Sequence, residues 1–169
     1  MKKLHCKKYR TRRTKLRRLI IESLDARLPF AFDAALVLDI YEGTPGGNPT
    51  HLAQINNDLY FNADDGINGF ELWKTDGTAG GTVLLADINP DGSSYPEYLT
   101  NCNGTLFFRA DKGVNGSELW KSDGTAEGTV LVKDISVGGG GSFPSQFTFF
   151  GGYTYFFAAN DDFGREFGY

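Results

Sequence analysis

From residue 50 onward the apolar positions fall in short runs cut by turn-forming residues. Residues 50–55 alternate around Leu52, 59–63 read Leu-Tyr-Phe-Asn-Ala, 70–75 contain Glu71-Leu72-Trp73, and 82–88 read Thr-Val-Leu-Leu-Ala-Asp-Ile. Between them stand Asn56-Asn57-Asp58, residues 64–69 and Asp76-Gly77-Thr78, which favour turns and tolerate positive φ. Runs of this length, rich in Val, Phe, Tyr and Thr, predict strands. Helical spacing sustained over ten or more residues is absent from this region.

The pattern then recurs. Residues 59–88 align without gaps on 106–135, and 21 of the 30 positions are identical. Pro49 matches Pro96 and Pro144, and Leu52 matches Leu99 and Phe147. Phe156, Ala158, Gly164 and Glu166 continue a third copy, displaced by one extra residue in the 138–141 glycine run. A loop accommodates such an insertion at small entropic cost. Upstream, residues 36–40 repeat the ending of a unit, which predicts a lone fourth strand there.

A repeat of four antiparallel strands in about 47 residues matches a β-propeller blade in length. The expected fold is therefore all-β: a propeller-like array of four-stranded blades. The units fall at about 49–88 and 96–135, with a partial unit at 144–169. Trp73 and Trp120 are expected to pack between blades. About three units do not close a ring. The expectation is a piece of a longer chain; the alternatives are an open arc and the assembly of two three-unit arcs.

The stretch Gly-x-Glu-Leu-Trp-Lys-[Thr/Ser]-Asp-Gly-Thr-Ala-x-Gly-Thr, at residues 69–82 and 116–129, resembles the ELWxxDGT repeat of bacterial secreted and surface proteins. The third copy departs from it, with Phe167 and Gly168 in place of Leu and Trp. The resemblance implies propeller-like architecture and export rather than a particular activity.

Charge divides the chain. Residues 1–27 carry 11 Lys or Arg against Glu22 and Asp25, whereas 28–169 carry 6 basic and 19 acidic residues. A basic block on an acidic body points to a segment with its own role. Three roles are open to this leader, residues 1–33, which is expected to be disordered or helical. It could bind nucleic acid through phosphate, but no recognition fold accompanies it, so no nucleic-acid partner is expected. It could be a solvated arm, or it could target the protein. The apolar stretch Leu19-Ile20-Ile21 is short and is followed by Glu22 and Asp25, unlike an ordinary signal peptide. No 20-residue apolar run predicts a transmembrane span. Residues 17–31, with Glu22, Leu24, Asp25 and Arg27 in place, resemble the LEPR-type motif of exported proteins. That resemblance implies a secreted or cell-surface location.

Candidate chemistry is sparse. His5 and His51 are the only histidines, and no Ser-His-Asp set, phosphate loop or zinc spacing is present. Cys102 aligns with apolar positions, which predicts a small buried hydrophobe. Asp64, Asn68 and Glu71 recur as Asp111, Asn115 and Glu118. Oxygen ligands at this spacing could hold calcium, and the alternative is capping of turn amides. Asp76 and Asp123 are expected to cap the Asp-Gly-Thr turns. Tyr95 and Phe143, in the loops linking units, are the candidates for ligand contact, as sugar-stacking rings or as rings packed beneath their loops. The leading expectation is a non-catalytic extracellular protein with a binding, adhesion or structural role, its partner a glycan or surface protein. The runner-up is part of a propeller enzyme acting on extracellular polysaccharide, and the third a basic-tailed nucleic-acid binder.

Overall fold

The computed structural model describes residues 36–169 apart from positions 44, 139, 161 and 163. The expected leader, 1–33, lies outside these residues, as do Cys6 and His5. The described residues form eleven strands and no helix. The first sheet holds β1 (Thr50–Ile55), β2 (Asp58–Asp64), β3 (Phe70–Thr75) and β4 (Val83–Ala86) in chain order. The second holds β5 (Glu97–Cys102), β6 (Thr105–Asp111), β7 (Ser117–Ser122) and β8 (Val130–Lys133). The third holds β9 (Ser145–Phe150), β10 (Tyr153–Asn160) and β11 (Gly164–Gly168). All pairings are antiparallel. The strands predicted from residue 50 onward are observed, with the fourth run shortened to Val83–Ala86.

Turn chemistry sets each unit. Asn103 and Gly104 both adopt positive φ, as do Gly151 and Gly152, the geometry that matches hairpin twist. The Asp-Gly-Thr turns are identical in their bonding. Asp76 Oδ1 accepts from Thr78 N at 2.9 Å and Thr78 Oγ1 at 2.7 Å. Asp123 does the same with Thr125 at 2.9 and 2.7 Å. The Thr78 and Thr125 hydroxyls hold both carboxyls below the ordinary aspartate range, with help from the backbone amides. A Cβ at Gly81 or Gly128 would lie 2.0 Å from the aspartate oxygen, so a larger residue there would displace the capping carboxylate.

Alternation gives each sheet two apolar faces. Ile55, Tyr60 and Leu72 of the first sheet, with Leu85 and Ile88, pack on Leu106, Phe108, Ala110 and Trp120 of the second. Cys102, Leu119 and Phe107 of the second, with Ile135, pack on Phe147, Phe156 and Ala158 of the third. Trp120 thus packs between sheets, as expected. Trp73, on the corresponding face of the first sheet, is buried with Phe61, Ala63 and Ile40. Cys102 is a buried hydrophobe, and burial pushes its thiol pKa up.

The glutamate of the repeat ties each sheet to the next. Glu71 is fully buried. It accepts from Ile88 N at 2.8 Å, Ser94 N at 2.8 Å and Ser94 Oγ at 2.5 Å. Glu118 repeats this with Ile135 N, Ser136 N, Ser142 N and Ser142 Oγ. The held linker then passes a bond onward, from Asp111 N to Ser94 O and from Ala159 N to Ser142 O. Burial raises the Glu71 pKa, opposed by these hydrogen bonds.

One expectation needs correction. Residues 36–40 form no strand and complete no sheet. Ile40 packs on Phe61, Ala63 and Trp73, and Gly47 O accepts from Asp64 N at 2.9 Å. These are the positions that Ser94 and Ser142 take at the next two sheets. The segment is therefore held as a linker against the first sheet, away from the free edge of β11.

Candidate functional site

The first strands of the three sheets lie side by side, β1 against β5 and β5 against β9. Each carries the same irregularity. The register shifts between Thr50 and Ala53, between Glu97 and Thr100, and on β10 between Tyr155 and Phe157, where it opposes β9. Within these bulges His51, Tyr98 and Gln146 adopt φ of 55, 57 and 56°. Such a conformation is costly for bulky side chains and re-aims them away from the regular pleat. Just upstream, Asn48, Tyr95 and Phe143 have φ of 42, 46 and 48°, each preceding a proline. Strain repeated at fixed positions is a pointer to function.

Residues at these positions differ from unit to unit while their surroundings repeat. The bulge carries His, Tyr and Gln, and the facing positions on the second strands carry Asn62, Arg109 and Phe157. Arg109 is ion-paired to Glu97. Its guanidinium lies 4.8 Å from the centre of the Tyr98 ring and 5.9 Å from that of Phe143. His51 Nε2, from the preceding unit, is 3.9 Å from Glu97 Oε1. Three units thereby build one cluster: His51, Glu97, Tyr98, Arg109 and Phe143. Asn62, opposite Thr50 on the second strand, is buried with its Oδ1 lacking a hydrogen-bond partner.

Phe143, one of the two loop candidates, lies in this cluster. Tyr95, the other loop candidate, stacks on Phe70 with ring centres 5.6 Å apart and is exposed. His51, Glu97, Tyr98 and Arg109 belong to no motif in the sequence. Their signal is variation inside an otherwise repeating frame.

The calcium candidates all have hydrogen-bond partners within the protein. Glu71 and Glu118 are buried against the linkers. Asp64 Oδ1 accepts from Gly66 N, and Asp111 Oδ1 from Gly113 N, each at 2.7 Å. Asn68 bonds Asp65, and Asn115 bonds Asp134. Bonds from Asn68 and Ile67 lower the Asp65 pKa against a raising contribution from burial. No group of three or more His, Cys, Asp or Glu among the described residues is placed to hold a metal ion.

No protein-family model matches this chain, and no curated protein or solved structure is similar to it at a significant level.

Proposed function

We propose that this chain is an exported, non-catalytic binding protein of the ELWxxDGT-repeat type. Its sheets act as blades of a propeller-like arc and present a glycan-binding row along their first strands. The observation that carries this reading is the cluster of His51, Glu97, Tyr98, Arg109 and Phe143, gathered from three units on strained backbone. Tyr98 and Phe143 are partly exposed and offer ring faces for the C–H surface of a sugar. Glu97, Arg109 and His51 offer acceptors and donors for hydroxyl groups, the mixture of apolar surface and a few polar groups that small-ligand sites use.

Two further observations narrow the reading. The 19 acidic and 6 basic residues after position 27 favour a neutral glycan over an anionic one. The cluster contains one carboxylate, and Arg109 holds it, whereas glycoside hydrolysis ordinarily uses two. Binding is therefore preferred to polysaccharide cleavage. Export rests on residues 17–31 and the repeat resemblance. No helix of the described residues is long and apolar enough to cross a membrane.

The test is a glycan array followed by calorimetry. A neutral oligosaccharide is expected to bind, and Tyr98→Ala to weaken it about tenfold or more, roughly 1.4 kcal/mol. Absence of any glycan ligand, or affinity unchanged in both Tyr98→Ala and Phe143→Ala, would overturn the proposal.

A further inference from the structure

The frame of the binding row repeats at both junctions between sheets, and its residues differ from one junction to the other. Where the second sheet meets the third, Glu97 faces Arg109 across β5 and β6, Tyr98 stands in the bulge, and Phe143 lies in the linker that follows. Where the first sheet meets the second, the equivalent positions hold Thr50, Asn62, His51 and Tyr95. The backbone holds the two linker residues alike, since Tyr95 N donates to Phe70 O at 3.1 Å and Phe143 N to Ser117 O at 3.0 Å. The Tyr95 ring stacks on Phe70, whereas the next sheet has Ser117 at that position and the Phe143 ring lies beside Arg109.

The two sets adjoin. His51 Nε2 lies 3.9 Å from Glu97 Oε1, and further along the same two strands Asn101 Nδ2 donates to Gln54 O at 2.8 Å. His51, Tyr95, Tyr98 and Phe143 are all exposed. Their chemistry is unlike: one set offers an imidazole and a phenol beside the Thr50 hydroxyl, the other two rings beside an ion pair. We propose that the two sets are adjoining subsites for successive sugars of one linear oligosaccharide, which crosses the row at the His51–Glu97 contact. This rests on the reading of the row as a neutral-glycan site, and adds that the ligand is a chain held over at least two sugars rather than a single terminal one. A second sugar tethered to the first binds at high effective concentration. It escapes a second loss of translational freedom, so affinity grows with chain length until both subsites are filled. The unlike side chains also fix the direction in which an asymmetric chain lies.

Calorimetry of the full chain with neutral glucose, mannose, galactose and xylose oligomers of one to six units tests the two subsites. In the series that binds, affinity should rise about tenfold or more between the monosaccharide and the trisaccharide. His51→Gly removes a side chain where φ is already positive, a conformation glycine adopts without strain. It should bring the longer oligomers back toward the affinity of the monosaccharide. Tyr98→Ala should weaken binding at every length. Tyr95→Ala, in the same subsite as His51, is the second variant should His51→Gly misfold, as judged by far-ultraviolet dichroism. One affinity at every length would overturn the two-subsite proposal and leave the glycan reading standing. So would a gain with length that survives both His51→Gly and Tyr95→Ala. No binding at any length in any series would overturn the proposal together with the reading beneath it.

Discussion

The second and third sheets have nearly the same plan and differ in what covers them. Leu119 and Phe167 occupy equivalent positions, one 4 % and the other 60 % exposed. Glu118 is buried and holds a linker, while Glu166 is exposed. Cys102 is buried and Phe150 is open. Strand alternation decides which side chains share a face, but burial of that face depends on the neighbouring sheet. In a stacked array, stability therefore resides as much between units as within them.

The largest test of that contrast is truncation at the matched pair. Leu119→Ala removes a buried side chain from the core between the second and third sheets and should cost about 2–5 kcal/mol. Phe167→Ala, measured at protein concentrations low enough to exclude association, should change stability by no more than about 0.5 kcal/mol. Urea denaturation followed by fluorescence distinguishes them. Equal losses would mean that the third sheet's face is covered in solution even in a single copy.

The glutamates give the next step down. Glu118→Gln replaces one accepting oxygen by a donor, opposite the amides of Ile135, Ser136 and Ser142. An unsatisfied buried donor costs about 1–3 kcal/mol. Glu166→Gln should leave the unfolding midpoint in place. If both variants are silent, the linkers are held by the backbone bonds from Ser142 N and Phe143 N to Ser117 O and the carboxylate is incidental.

A pH titration separates Glu71 from the turn aspartates. Burial raises the folded-state pKa of Glu71. As pH rises, the unfolded chain loses this proton first, so the folded state binds more protons and stability falls through the window between the two values. The Thr hydroxyls lower Asp76 and Asp123, with backbone amides assisting, and Asp65 is also lowered. These groups contribute above the ordinary aspartate pKa and lose their contribution as pH falls through the folded values. The stability advantage of the parent over Glu71→Gln should accordingly be greatest in acid and shrink as pH rises through the raised value. A difference independent of pH would show that the carboxyl is not perturbed by burial.

Much of this plan is legible in the residues. Period-two runs mark the strands, and Asn-Gly and Asp-Gly mark the turns, because both depend on near neighbours. The role of the glutamate is less legible: its partners lie 17–24 residues away, although Ser94 and Ser142 recur in step with it. The first-strand bulges leave little trace in residue type: of His51, Tyr98 and Gln146, histidine alone is enriched at positive φ. The lone strand at 36–40 fails for a different reason. Its sequence matches the end of a unit, but strand formation requires an edge to pair with, and Ile40 is held on the first sheet instead.

The smallest expected effect concerns calcium and compares the first two units directly. Their 64–71 and 111–118 segments share the proposed oxygen ligands, yet Asp65 in one is Lys112 in the other. Were the turn a calcium site, the first unit would bind and the second would be opposed by the lysine. The geometry gives both turns internal partners instead. Asp65 Oδ1 accepts from Ile67 N at 2.9 Å and Asn68 N at 2.8 Å, and Asn115 is bonded to Asp134. Calcium coordination takes six to eight oxygens, and the buried Glu71 and Glu118 could join it only by releasing the linkers to the next sheets. Calcium is therefore expected to leave the melting temperature unchanged and to give no binding heat. A rise in melting temperature that Asp65→Asn abolishes and Lys112→Asp extends would assign the turn to a cation and reverse the reading of its hydrogen bonds.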